Sequence, residues 1–480
     1  VTPARILQVT DGFVSLSYDV QWFAMGVIAV ATIVPAIVNH IATLRLLRHC
    51  GLDVVAARDP ASEAPRAEHH PPRITILIPA FNERQTVVQV VKAACASDYP
   101  GELEVIAIND GSHDDTLEVL MRAFQLHAIE CHPSAQCPCN EPTKLYGTLI
   151  GARELRVVDK RNGGKSDALN AGINIARGAY ICVIDADTLL APDAISGMWR
   201  AVRSSPEIVA VAGCVAIGGC AGAHVPLNHD RSPLLVNLQR LEYAREFAIS
   251  RALKTKLGRL VGIPGAFGLF RRDLLIEIGG YSRDTVGEDL EITVRIHRHL
   301  LDRRKPYEIR FANCALAWTE APETLGRLAC QRGRWARAAL QTLGRHHDML
   351  FARRYGLIGL WGVGSILIHN ILAPTLGMAI PVAFLVADLT DIARWTSVLA
   401  FWLLSSSLAF TTEIHAFGTL RRVLPNHPGC AVGSGRSVII LLVYSFAYQY
   451  LLLLFRAYGV WQQITRPQHW GEIPRRSLTT

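Results

Sequence analysis

Basic runs interleaved with aromatic residues, a usual grip on RNA, are missing from this 480-residue sequence. Its formal net charge of +8 therefore points to anionic lipid heads or a phosphorylated substrate rather than to nucleic acid. No internal repeat is present, which leaves an inverted-repeat transporter without support. Charge is scarce: 19% of residues are Asp, Glu, Lys or Arg, against 50% hydrophobic. With a mean hydropathy of +0.22, the chain is too apolar for a typical soluble protein and too long for one ordinary domain. The 11 cysteines are scattered and odd in number, which excludes a small disulfide scaffold and reads as mostly reduced, buried thiols. Gly164-Lys165-Ser166 looks like the end of a Walker loop, but Asp159 stands where that loop needs its first glycine, so the match fails.

What is present is organised around Val157–Leu190, which reads as strand, glycine turn, helix, strand and acidic loop. Gly163-Gly164-Lys165 opens the helix, and backbone N–H groups at a helix start beside a lysine suit a phosphate. A solvated surface lysine is the plain alternative. Asp185-Ala186-Asp187 follows the apolar run Tyr180–Ile184. Two carboxylates at the end of a parallel strand suit Mg2+ or Mn2+, with a diphosphate filling the remaining positions, although such pairs also cap following helices. Together the two signatures read as a metal-dependent nucleotide-diphosphate site.

Around this stretch strands and helices alternate. Arg73–Pro79 reads as a buried strand, followed by a helix to Ala96, and Leu103–Ile108 as a second strand ending in Asn109-Asp110-Gly111-Ser112. A helix to about His127, another over Pro192–Ser204 and a strand over Ile208–Ala212 follow. The alternation predicts a parallel α/β sheet with ligands at the carboxyl ends of its strands, where Asp110, Lys165, Asp185 and Asp187 fall. His127–Gly151 reads as an inserted loop; its Cys131, His132, Cys137 and Cys139 fit no common structural-zinc spacing and read as surface thiols. Leu234–Lys254 reads as an amphipathic helix, and Gly262–Gly268 as a small-residue turn where a sugar approaches the backbone. Gly287-Glu288-Asp289 opens a helix that ends in His297, Arg298 and His299. Acids first and bases last match the helix dipole without any chemistry.

Val20–Leu44 is nearly uncharged and long enough to cross a bilayer core of about 30 Å. Arg45 and Arg48 follow it, which places the N-terminus outside and the next segment in the cytoplasm and argues against a cleaved signal peptide. The expected division is an external segment 1–19, a span 20–45, a linker 46–72, a catalytic domain 73–320 containing the insertion 127–151, an interface-helix region 321–350, a transmembrane region 351–462 and a tail 463–480. Leu325–Leu343 is basic and amphipathic, with arginines snorkelling to lipid phosphates. Tyr355–Asp388, Trp395–Phe417 and Val438–Val460 are the later hydrophobic blocks. Arg421, Arg422 and Arg436 favour four spans in all, whereas Arg466, Arg475 and Arg476 in the tail favour five.

In this order and company the motifs resemble those of membrane-embedded family 2 glycosyltransferases, the cellulose, hyaluronan, chitin and poly-N-acetylglucosamine synthases, over about Arg73–Leu343. The resemblance implies a GT-A-type α/β domain in the cytoplasm joined to an α-helical transmembrane region in the inner membrane. Pro79-Ala80-Phe81-Asn82-Glu83 and Asn109-Asp110-Gly111-Ser112 look like the segments that hold uracil and ribose, which makes Pro79, Asn82, Glu83 and Asp110 nucleotide-sugar contacts. Gly163-Gly164-Lys165 resembles the diphosphate-side turn. Asp185-Ala186-Asp187 is similar to the metal motif, with Asp187 the direct ligand of Mg2+ or Mn2+ and Asp185 nearer the nucleotide. Gly287-Glu288-Asp289 resembles the motif carrying the general base, Asp289, beside Glu288. Gln331-Arg332-Gly333-Arg334-Trp335 resembles the Gln-x-x-Arg-Trp motif of processive members; it implies Gln331 and Arg334 at the donor, and Trp335 with Gly265, Ala266 and Phe267 at the acceptor.

The activity so implied is inverting transfer from a UDP-sugar to a growing polysaccharide, beside membrane lipid and with accessory secretion proteins as further partners. Asp289, at a helix start, is expected to be ionised by the dipole. The insertion after Ala123 and the single span before the catalytic domain depart from the pattern. Three rivals remain. A non-processive enzyme adding one sugar to a lipid carrier normally lacks Gln-x-x-Arg-Trp. A dead scaffold would have lost Asp289 or the Asp pair. A transporter would carry its acids inside the spans.

Overall fold

The computed structural model describes residues 70–130, 134–218, 233–375, 392–423 and 434–465. The expected span at Val20–Leu44, the residues Cys131 and His132, and the tail arginines Arg466, Arg475 and Arg476 lie outside the described residues.

The apolar runs Ile74–Ala80 (β1) and Leu103–Asp110 (β2) are neighbouring parallel strands, with Ile74 opposite Leu103 and Ala80 opposite Asn109. Both are buried almost throughout, as strands covered on both faces must be. Val87–Cys95 (α1) and Thr116–Phe124 (α2) follow them in turn. His127–Ala128 (β3), Pro142–Ile150 (β4) and Arg153–Lys160 (β5) come next, then Lys165–Ile175 (α3), Tyr180–Ile184 (β6), Leu189–Leu190 (β7) and Ala194–Arg203 (α4). Ile208–Ile217 (β8), Leu234–Arg245 (α5), Phe267–Arg271 (β9), Glu288–Asp302 (α6) and Glu308–Thr319 (β10) complete a ten-stranded sheet of order β3-β4-β5-β2-β1-β6-β9-β8-β10-β7.

The sheet is mixed, not parallel as the alternation predicts. Strands β5, β2, β1 and β6 are parallel neighbours, so their carboxyl ends share one edge. Strand β9 runs against β6, with Ile184 opposite Phe267, and therefore begins where β6 ends. Gly265 and Ala266 thus arrive at the same edge as Asp185. The insertion also differs from a plain loop: β4 pairs antiparallel with β5 along its whole length. Nor is Cys137 a surface thiol. It is buried, its N–H donates to Asn174 Oδ1 at 2.8 Å, and burial pushes its thiol up to about 11. Among the described residues no three His, Cys, Asp or Glu side chains group as a metal site.

At the opposite edge of the sheet Arg156 and Glu104, each 1% exposed, form an ion pair that Thr75 Oγ1 supports by donating to Glu104 Oε2. Breaking such a pair strands a buried charge at a cost of about 3–5 kcal/mol. Glu104→Ala is expected to destabilise the domain by that order, read as a lowered denaturant midpoint.

Helix α5 is not amphipathic. Every residue from Val236 to Glu242 is buried, because Leu238 and Leu241 pack with Leu328, Ile440, Leu441 and Tyr444 on the side away from the sheet. Leu325–Arg345 (α7) is capped by Thr324, whose side chain accepts from Arg327 N–H. Its Arg332 is fully buried and does not snorkel. Ile392–Val423 (α8) is a 32-residue helix over the second hydrophobic block, and Gln449–Thr465 (α9) lies against α7. A Cβ on Gly459 would lie 2.5 Å from Gly333 Cα, so α7 and α9 touch backbone to backbone. Ile358–Thr375 and Ser437–Thr465 are long and apolar enough to cross a membrane by length and composition.

Candidate active site

The shared strand edge gathers the acidic motifs into one cluster centred on a lysine. Lys165 Nζ lies 2.7 Å from Asp185 Oδ1, 2.8 Å from Glu288 Oε1 and 3.4 Å from the Gly265 carbonyl oxygen. Burial would lower the Lys165 pKa, but Asp185, Glu288 and Asp289 outweigh it and hold the ammonium well above the ordinary lysine range. Burial likewise pushes Glu288 up, and Lys165 more than reverses this. Gly287 caps α6, so Glu288 and Asp289 leave its first turn towards β9. Asp289 Oδ2 accepts from Gly265 N–H at 3.1 Å and Oδ1 from Leu290 N–H at 2.8 Å. Burial and then Glu288 raise the Asp289 pKa, while Lys165 and the two N–H donors lower it, so burial works against the ionised form that the helix dipole favours. A Cβ on Gly265 would lie 2.9 Å from Lys165 Nζ and 3.3 Å from Asp289 Cβ, so a side chain here would displace the ammonium.

Asp187 stands beside this cluster. Thr188 and Thr319 Oγ1 each lie 3.4 Å from its Oδ1. Burial, then Asp185 and Glu320, push its carboxyl up to about 7. Negative charge is thus in excess here, and all the donors are hard oxygens. That donor set fits a hard divalent cation sharing its remaining positions with a diphosphate.

The glycine turn behaves differently from expectation. Gly163 and Gly164 N–H donate to Asp110 at 3.0 and 2.7 Å, so they hold this carboxylate rather than facing an incoming phosphate. Lys160 Nζ lies 2.6 Å from both Asp110 Oδ1 and Asp167 Oδ1, and Arg283 Nε lies 3.1 Å from Asp167 Oδ2. This buried network fixes the ends of β2 and β5 and the start of α3. Over the ends of β1 and β2, Asn82 adopts φ +57°, accepts from His113 N–H at 2.8 Å and donates its own N–H to Ser112 Oγ at 3.0 Å. Glu83 N–H donates to Thr116 Oγ1. Pro79 is half-buried within β1. Phe81 is exposed and meets His113 edge to face at 5.8 Å.

From α7, Arg334 is exposed and close enough to Glu288 to lower its pKa. Gln331 has a buried Oε1 without a hydrogen bond, and Trp335 remains 37% exposed. Phe267 is not at the site: it is fully buried in β9, in the core between β6 and β8. Ala266 packs against that core but is half-exposed. His297 is buried and pushed down to about 4 by burial, so it adds no charge at the end of α6. Sequence reading missed Lys160, Asp167 and Arg283, whose partners lie up to 116 residues apart (283 − 167), and Glu320, which directly follows β10.

Residues 180–461 match the model of glycosyl transferase family group 2, and residues 75–132 that of glycosyl transferase family 2. The chain belongs to glycosyl transferase family group 2. Within the group 2 match fall Asp185, Asp187, Gly265, Glu288, Asp289, Gln331 and Trp335, while Asp110 falls in the family 2 match. The chain is 30% identical over 273 residues to poly-beta-1,6-N-acetyl-D-glucosamine synthase of Staphylococcus epidermidis. It is 28% identical over 272 residues to the synthase of the same name in Staphylococcus aureus (strain COL). Each match covers 57% of this chain and 56% of the relative, a little over half its length. Among solved structures, a mannosyltransferase from Pyrobaculum calidifontis in complex with GDP-Man and Mn2+ superposes with a TM-score of 0.56 at 18% identity, over 84% of this chain and 98% of that one. The family 2 chain thus has a GT-A-like glycosyltransferase fold built on a mixed sheet.

Proposed function

We propose that this chain is a membrane-held, inverting transferase that moves N-acetylglucosamine from a UDP-linked donor onto a growing polysaccharide. The observation that carries this reading is the placement of Asp289 on Gly265, close to the Lys165 ammonium that pairs with Asp185. A base and a charged leaving-group pocket are what glycosyl transfer with inversion needs on opposite sides of a sugar. The synthases of the same family named above supply the sugar and the polymer.

In this reading the base and ribose lie over the ends of β1 and β2, against Pro79, Phe81, Asn82 and Glu83, with Asp110 held rigid by Lys160 and the glycine turn. Lys165 and Arg334 offset the negative charge that gathers on the diphosphate as UDP departs. Gln331 offers its unpartnered Oε1 to the donor. Asp185 and Asp187 would hold a divalent cation, Mg2+ or Mn2+, which would supply further positive charge to the departing diphosphate. Asp289 takes the proton of the acceptor hydroxyl while that oxygen bonds to the sugar C1 and the C1–phosphate oxygen bond breaks. Glu288 keeps Lys165 in place. Gly265, Ala266 and Trp335 line the acceptor side. The helices over Ile358–Thr375, Ile392–Val423 and Ser437–Thr465 cross the inner membrane, and α7 lies at its cytoplasmic surface.

The acid limb of activity follows from Asp289. A carboxyl whose pKa is raised stays protonated over a wider acidic range, and its base form is lost as pH falls through that raised value. The acid limb of kcat/KM is therefore expected above the ordinary aspartate range, and Glu288→Gln, which removes one cause of the rise, should move it to lower pH. An acid limb unmoved by Glu288→Gln counts against Asp289 as the base.

The function itself is tested by UDP release from the full chain in detergent with Mg2+, across a panel of UDP-sugars, with the product sized. Long chains made from UDP-N-acetylglucosamine support the reading. A single sugar on a lipid moves it to a lipid-carrier enzyme, and no release from any donor rejects it.

A further inference from the structure

Arg332 is the least expected residue of the Gln-x-x-Arg-Trp helix. It is 0% exposed, yet among the described residues one carboxylate meets it: Arg332 Nη2 donates to Glu242 Oε2 at 2.9 Å. The same oxygen accepts from Tyr448 OH at 3.1 Å. Nε and Nη1 of the guanidinium make no hydrogen bond. Its guanidinium carbon instead lies over the Trp335 ring, 4.1 Å from the ring centroid. A buried cation so held is balanced by one carboxylate and one aromatic face, a pairing that suits a planar guanidinium better than an ammonium. Arg332 lies over one face of the indole, and Trp335 remains 37% exposed.

We propose that Glu242 and Tyr448, acting through Arg332, position Trp335 as the acceptor platform, so that the setting of the C-terminal helical stretch is felt at the acceptor. This rests on the acceptor role given to Trp335 above. Three elements converge on one oxygen: α5 brings Glu242, α7 brings Arg332, and the stretch leading into α9 brings Tyr448. The backbone contact of Gly333 with Gly459 holds α9 against α7 one residue from Arg332. A displacement of that stretch therefore pulls on Glu242, tilts the guanidinium and turns the indole. A buried ion pair alone is weak evidence of a stabilising role, since an apolar pair of similar volume often serves as well. What an apolar pair cannot supply is the charged plane over Trp335.

The deciding variant is the full chain carrying both Arg332→Met and Glu242→Met, which removes the two charges together. Two readouts are taken in detergent: KM for a β-1,6-linked N-acetylglucosamine oligosaccharide acceptor against KM for UDP-N-acetylglucosamine, and 19F NMR of protein labelled with 5-fluorotryptophan. We expect acceptor KM to rise about three- to tenfold, the range a desolvated cation–aromatic contact spans, with donor KM within about twofold. The fluorine resonance that Trp335→Phe abolishes should shift or broaden. Arg332→Lys keeps the charge but loses the plane, and should raise acceptor KM in the same direction; it decides the matter if the double variant does not fold. Unchanged acceptor KM with an unmoved Trp335 resonance overturns the proposal. A wild-type protein that turns over no donor counts against the proposed function, while the fluorine readout still decides whether Arg332 positions the ring.

Discussion

Asp289→Asn is expected to lower kcat by about 10²- to 10⁴-fold, the usual contribution of a general base, while the affinity for UDP stays within about twofold. The substitution conserves volume and leaves one carbonyl oxygen to accept from Gly265 or Leu290 N–H, the two donors that hold Asp289 now. It removes the only charge of that side chain. In the proposed function Asp289 serves the acceptor side of the sugar and Lys165 the nucleotide, so its loss is expected to act on the rate and not on UDP affinity. Steady-state kinetics with calorimetric titration of UDP separate the two. A fall in UDP affinity as large as the fall in rate would show that Asp289 belongs to the donor site and that another group takes the proton. Glu288→Gln differs: it releases Lys165 and is expected to weaken donor binding as well.

How far the sequence carried this reading depends on how local each signal is. The strands β1, β2 and β6 announce themselves by short apolar runs, and the acidic motifs sit directly behind them, so the strand edge is legible in the sequence. The antiparallel course of β9 is not, because Gly262–Gly268 hides where the strand starts. Phe267 belongs to the apolar run Phe267-Gly-Leu-Phe270, and that run was the available signal that it points into the core. Long-range charge pairing was the least legible feature. Nothing near Arg332 in sequence says that Glu242, 90 residues earlier, will bury it, and an arginine in a basic helix reads as surface. In the same way Gly163 and Gly164 look free to meet a phosphate until Asp110, some 50 residues before them, is seen to take both N–H groups.

The second large effect concerns the carboxylates that the protein's own cations leave unbalanced. Lys165 is committed to Asp185 and Glu288, and burial with Asp185 and Glu320 nearby drives Asp187 up to about 7. A buried carboxylate in that state gains most from a divalent partner, which replaces the proton and lets the ionised form persist. Chelation with EDTA is therefore expected to abolish turnover, and Mg2+ or Mn2+ to restore it. Asp187→Ala should weaken Mn2+ binding at least about tenfold, followed by electron paramagnetic resonance in the presence of UDP, and lower kcat by about 10²-fold or more. The binding readout matters because it does not depend on the sugar being right. Mn2+ affinity unchanged in Asp187→Ala moves the cation away from this carboxylate. Full turnover in a metal-free preparation goes further, since Lys165 and Arg334 alone would then have to carry the charge of the leaving diphosphate.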